Sequence, residues 1–119
     1  MLKKRVYVAD DDPAILEIIT MILEDEGYEV ETSVDGRSLQ DELTIQPDLV
    51  LLDIRMSGSD GGEICRKLKS NVRTRAIPII LVSANKDIVS IANNCFANDF
   101  LPKPFEISDL IQLTHKYTS

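Results

Sequence analysis

The sequence has no long hydrophobic run. The longest, Ile77 to Val82, contains Pro78 and falls far short of the ~20 apolar residues that cross a bilayer, so no membrane insertion is expected. Only the short segment Val6 to Ala9 lies between the basic start and the aspartates Asp10 to Asp12. No secretory apolar region fits there, and a cytoplasmic location is expected. Cysteine is scarce: Cys65 and Cys95 are the only two. They can pair once at most and read as intracellular thiols rather than a disulfide framework. Positive charge is also short, with 13 Lys+Arg against 20 Asp+Glu and a net charge of -7. Such a surface repels phosphate backbones and anionic lipid. Direct nucleic-acid binding is therefore not expected, whereas a metal cation or a basic partner surface is favoured. No repeat, low-complexity stretch or linker divides the 119 residues, which are expected to form a single domain over 1–119. A domain of this size buries roughly two-thirds of its unfolded surface, enough for a core without staples.

What is present is one unit repeated in kind: a short apolar run, a polar corner, then an amphipathic stretch. The first run is Arg5 to Ala9. Asp12 then reads as an N-cap with Pro13 at the first helical position. Ile15, Ile18, Ile19, Ile22 and Leu23 follow at helical spacing, and Gly27 stops the helix. The second run is Tyr28 to Val34, with a helix predicted from about Gly36 to Thr44. The third run, Leu49 to Leu52, is apolar on both faces, the mark of a central parallel strand. After the glycine-rich corner MSGSDGG, a helix is predicted from about Gly62 to Ser70. The fourth run, Ile79 to Val82, ends in Ser83, and Asp87 is predicted to cap the next helix. The fifth run is Asp99 to Pro102, and its proline suggests an edge strand. The last helix is predicted from about Ser108 to Tyr117. Strand–helix alternation with short corners predicts an α/β fold with parallel strands and helices on both faces.

The carboxyl ends of these runs read Asp10-Asp11, Asp53, Ser83 and Lys103. In an open α/β sheet that edge is where ligands bind. With the first and third strands adjacent, three carboxylates converge and repel one another. A hard divalent cation relieves this, and Mg2+ suits carboxylates, backbone oxygens and phosphate. A hydroxyl and an ammonium beside it suit phosphoryl oxygens.

At these residues the chain resembles the receiver domains of bacterial two-component response regulators. The motifs are VADDDPAIL, PDLVLLDIRMSGSDG, IPIILVSA and DFLPKPF, in order along the chain. The resemblance implies a doubly wound, flavodoxin-like (CheY-like) fold, with a five-stranded parallel sheet of order 2-1-3-4-5 and five helices. It implies that a phosphoryl group passes from a phosphohistidine of a sensor kinase or phosphotransfer protein to Asp53, the phosphoacceptor. It further implies Mg2+ at Asp10, Asp11, Asp53 and the backbone carbonyl of Arg55. Ser83 and Lys103 would bind the phosphoryl group, Phe100 would move with Ser83, and the Lys103–Pro104 bond would be cis. Such a protein is not classed as an enzyme, although it catalyses its own phosphotransfer and slow aspartyl-phosphate hydrolysis. The fourth helix, fifth strand and fifth helix would form the surface that controls a downstream protein or output domain, with room for a phosphorylation-linked homodimer. Arg55 and Asn85 would flank the approach of water. A stand-alone receiver and a receiver from a hybrid kinase or larger regulator both fit the length.

The sequence departs from the family pattern at Ser57, in place of a usual proline, and at Gly62, in place of a usual apolar residue. Phe96 stands where glycine is common, and Pro102 beside Lys103 is atypical. None removes a chemical group. His115 reads as an exposed residue of the last helical turn, and Cys65 and Cys95 as small buried residues. A dehalogenase-type phosphatase would use Asp10 as nucleophile, but Ala14 and the missing late acidic pair argue against it. A flavodoxin-like cofactor carrier would meet three aspartates where its phosphate must sit. A phosphorylation-dead interaction module is opposed by the complete acidic and lysine set.

Overall fold

A computed structural model describes residues 3–36, 39 and 46–119. Five strands form one parallel sheet: β1 (Arg5–Ala9), β2 (Glu29–Ser33), β3 (Leu49–Leu52), β6 (Ile79–Ser83) and β7 (Asp99–Pro102). Their order is β2-β1-β3-β6-β7. Counted within the main sheet alone, this is the expected 2-1-3-4-5. Between β3 and the next helix lies a two-stranded antiparallel hairpin, β4 (Arg55–Met56) and β5 (Ser59–Asp60). It was not foreseen from the sequence. Gly58 makes its turn with φ of 73°, a conformation that Cβ-bearing residues resist. The helices are α1 (Pro13–Asp25), α2 (Gly61–Ser70), α3 (Ile88–Cys95) and α4 (Ile107–Thr118). The sequence predicts five helices, and the described residues contain four. Most of the predicted Gly36–Thr44 helix lies outside the described residues.

Alternation along the strands divides the core. Val6 and Val8 face one side of the sheet, with Leu49 and Leu51 of β3 and Ile80 and Val82 of β6. There they meet Leu16, Ile19 and Leu23 of α1 and Leu110 of α4. Tyr7, Ala9, Val50, Leu52, Ile79 and Leu81 face the other side and meet Ile64, Cys65 and Leu68 of α2 and Ile88, Ala92 and Cys95 of α3. Period-two strands between period-3.6 helices account for the two layers. Each fully buried Leu or Ile contributes about 1.5–3 kcal/mol of transfer free energy. Pro102 lies in β7, at the edge of the sheet, as expected.

Caps set the helix starts. The Asp12 carboxylate accepts from the Ala14 amide at 3.0 Å, and Asp60 accepts from the Gly62 and Glu63 amides at 2.8 and 3.3 Å. Asp87 precedes α3 but makes no side-chain capping bond. Instead, Asn85 Oδ1 accepts from the Asp87 amide at 2.9 Å, which corrects the predicted role of Asp87. Phe96 closes α3 in the left-handed region, at φ 65° and ψ 30°. The backbone thus keeps a geometry that normally calls for glycine, with an exposed aromatic in its place.

Candidate functional site

Strand register places the candidate residues. Ala9 pairs with Leu52 across β1 and β3, so Asp10 and Asp53, the next residues, leave the sheet side by side. Ser83 pairs with Pro102 across β6 and β7, which brings Lys103 to the same edge. The Asp53 amide donates to the Ala9 carbonyl at 2.9 Å and the Lys103 amide to the Ser83 carbonyl at 2.9 Å, extending both ladders by one bond.

Asp10 and Asp53 are buried and Asp11 is exposed, and each offers a carboxylate oxygen within 4.8 Å of the others. Lys103 Nζ lies 2.5 Å from Asp10 Oδ2 and 3.2 Å from Asp53 Oδ2. Asp10 Oδ1 accepts from the Asp12 amide at 2.9 Å, and Asp53 Oδ1 accepts from the Ile54 amide at 2.7 Å. Burial raises the Asp10 pKa above the usual carboxylate value, even though the hydrogen bond from Lys103 pulls the other way. Burial also works against the Lys103 ammonium, but the hydrogen bond to Asp10 and the nearby carboxylate charges outweigh it. The Lys103 pKa is therefore raised. Three carboxyl groups face a single ammonium in a partly dry site. An all-oxygen donor set with more acids than cations fits a hard divalent cation such as Mg2+.

Asp53, Arg55, Ser83, Asn85 and Lys103 line one open cleft of about 470 Å3. Ser83 is buried, and its Oγ accepts from the Asn85 amide at 3.2 Å. Arg55 begins β4 with its side chain exposed. Phe100 is half-buried and packs against the core layer under α2 and α3, in register with Leu81. The Lys103–Pro104 bond is cis.

Gly61 belongs to the site but was missed in the sequence. A Cβ built there would lie 1.8 Å from the Asp53 carbonyl oxygen. The Gly61 amide donates to the Ile54 carbonyl at 2.6 Å, so the first turn of α2 rests on the backbone of the Asp53 corner. The signal was the Gly61-Gly62 pair directly after the capping Asp60. Gly62 has a separate use, since a Cβ there would sit 3.2 Å from Ile91 Cγ2 on α3.

This sheet, wound on both faces with an acidic cluster and a lysine at its carboxyl edge, defines a receiver module. The chain belongs to the response regulator receiver domain family, which it matches over residues 6–115. It is 34% identical over 110 residues to the DNA-binding dual master transcriptional regulator RpaA of Synechocystis, covering 90% of this chain and 46% of that protein. It is 40% identical over 111 residues to the response regulator MprA of Mycolicibacterium vanbaalenii, covering 90% and 47%. The chain thus spans about half the length of these curated relatives. Among solved structures, it resembles the signal receiver domain of a histidine kinase from Syntrophus aciditrophicus (TM-score 0.88, 30% identity, 97% of this chain and 89% of that one). It also resembles the response regulator TrrA of Thermotoga maritima in complex with Mg2+ and BeF (TM-score 0.85, 31% identity, 96% and 98%). Among the described residues, no helix is long and apolar enough to cross a membrane.

Proposed function

We propose that this chain is the phosphoacceptor module of a two-component phosphorelay, with Asp53 as the acceptor. The observation that carries this reading is the convergence of Asp10, Asp11, Asp53 and Lys103 at the carboxyl ends of β1, β3 and β7. An Asp53 carboxylate oxygen attacks the phosphorus of a phosphohistidine in a sensor kinase or phosphotransfer protein. The new O–P bond forms as the N–P bond breaks, and the electron pair leaves with the histidine nitrogen. Lys103 supplies a cation for the oxygens of the transferred group, and the Ser83 hydroxyl supplies a donor.

Asp10, Asp11, Asp53 and the Arg55 carbonyl would hold Mg2+, which when bound neutralises carboxylate and phosphoryl charge. Ser83 turns toward the new phosphoryl group, Phe100 fills the space behind it, and the surface of α3, β7 and α4 changes. That surface then acts on a downstream protein, an output domain or a second copy of the chain. The net charge of -7 opposes direct contact with nucleic acid, and the setting is cytoplasmic. The chain promotes its own phosphotransfer and slow hydrolysis rather than turning over a separate substrate.

The test is labelling with acetyl phosphate and Mg2+. Wild type should incorporate one phosphoryl group per chain and Asp53→Asn should lose it. Incorporation at wild-type yield in Asp53→Asn would overturn the assignment.

A further inference from the structure

Helices α2 and α3 meet along a seam outside the acidic site. Gly62 faces Ile91 so closely that a Cβ at Gly62 would stand 3.2 Å from Ile91 Cγ2. One helical turn further along each helix, three residues after Gly62 and four after Ile91, the same seam sets Cys65 against Cys95. The Cys65 thiol donates to the Cys95 carbonyl oxygen at 3.3 Å, and the Cys95 thiol lies 3.7 Å from the Ala92 carbonyl. The Cys65 sulfur thus lies against the backbone of Cys95, and both residues belong to the same buried core layer. Both are free and buried. The seam continues with Arg66, which donates to the Asn94 carbonyl at 3.3 Å, and Lys69, which donates to Asn98 Oδ1 at 2.7 Å.

The two thiols are not equivalent. Cys95 borders a groove of about 390 Å3 that Gly62, Arg66, Ile91 and Asn94 also line, whereas Cys65 sits deeper, among Ile64, Leu68 and the sheet. The neighbouring Cys65 side chain and the Ala97 amide lower the Cys95 thiol pKa against the cost of burial. The same contact, with burial, pushes Cys65 up. Of the two, the sulfur with more thiolate character on the side that borders the groove is the one an oxidant reaches.

We propose that Cys65 and Cys95 are a redox modification site, in which hydrogen peroxide oxidises Cys95 and Cys65 resolves it into an intramolecular disulfide joining α2 to α3. The Cys95 thiolate attacks one peroxide oxygen, the O–O bond breaks, and the hydroxide released takes up a proton to become water. Cys95 is left as a sulfenic acid. The Cys65 sulfur then attacks the sulfenic sulfur, the S–O bond breaks, and a second water leaves with the Cys65 proton. Overall, the two thiols lose two electrons and two protons, and the peroxide becomes two waters.

The test treats the reduced full-length chain with hydrogen peroxide at low protein concentration, blocks free thiols and maps the peptides. The expected result is a Cys65–Cys95 linked peptide from monomeric protein that dithiothreitol reverses. Cys65→Ser should stop at a Cys95 that reacts with dimedone. Cys95→Ser should react with peroxide at least about tenfold more slowly, since Cys65 lacks the thiolate character. Free thiols in peroxide-treated wild type, a disulfide only between chains, or dimedone capture at Cys65 in preference to Cys95 would each overturn the proposal. The wild-type map decides alone if either serine variant fails to fold.

Discussion

Asp10 carries an electrostatic cost that Lys103 and the Asp12 amide only partly offset. Its pKa is raised, mainly by burial, so at neutral pH its ionised form is less favourable in the fold than in the unfolded chain. Its contribution to stability becomes less unfavourable as pH falls through the raised folded value. Asp10→Asn should therefore melt higher than wild type in EDTA at pH 7. With Mg2+ the order should narrow or reverse, because a ligand that binds only the fold adds RT ln(1 + [L]/Kd). Asp11→Ala should lose most of the Mg2+ gain. Equal melting of Asp10→Asn and wild type in EDTA would contradict the charge account. A full Mg2+ shift in Asp11→Ala would contradict its role as a ligand. Gly61 makes the opposite kind of demand, a steric one. Its missing Cβ is the space the Asp53 carbonyl occupies. Gly61→Ala should lower stability by about 1–3 kcal/mol, the usual cost of overpacking. It should also slow labelling by acetyl phosphate, and denaturant melts with labelling rates check both.

Among the elements, α3 stands out. It ends in Phe96 at φ 65°, and the side chain is 69% exposed, so little burial offsets the strain. A Cβ-bearing residue in this region costs roughly 1–2 kcal/mol, while glycine gives back part of that as unfolded-chain entropy, about 0.5–1 kcal/mol. Phe96→Gly should therefore stabilise the chain by about 0.5–1 kcal/mol in urea melts, and a lower midpoint would contradict the strain. The departure at Phe96 was visible in the sequence, but its conformation was not. A phenylalanine gives no local signal for a left-handed C-cap, which here closes α3. The strands were easier to read. Leu49–Leu52, buried at all four positions, and Asp99–Pro102, at the sheet edge and closed by its proline, both have the predicted bounds. The β4–β5 hairpin was not legible, since two-residue strands carry no periodicity. Nor was the Asn85 bond that replaces a cap from Asp87, since either residue can supply a capping oxygen. Along α3 and its cap, Ile88 is buried in the core, Ile91 is partly covered and Phe96 is largely exposed.

Across the whole molecule, the sheet edge gathers groups far apart in sequence. Asp10 and Lys103, 93 residues apart, share a hydrogen bond. That convergence was inferable, because each residue follows an apolar run and parallel strands deliver their ends to one edge. The individual bonds were not, because they depend on register. Ser83 and Phe100 lie on the paired strands β6 and β7, the proposed route from this edge to the far surface. A phosphoryl mimic such as beryllofluoride should alter amide exchange in the Asp53 and Ser83 corners and also in α3, β7 and α4. Ser83→Ala should keep the first set of changes and lose the second. Changes confined to the Asp53 corner in wild type, or distal changes that survive in Ser83→Ala, would remove the proposed route to the surface.

The central claim is that one aspartate of the cluster accepts the phosphoryl group and that the others serve it. The most direct measurement is to label the wild-type chain with acetyl phosphate, trap the acyl phosphate by borohydride reduction and locate the modified residue by tandem mass spectrometry, with and without Mg2+. The account predicts a single modified residue, Asp53, dependent on Mg2+. Modification at Asp10 or Asp11, or equal labelling of Asp53 in EDTA, would contradict it.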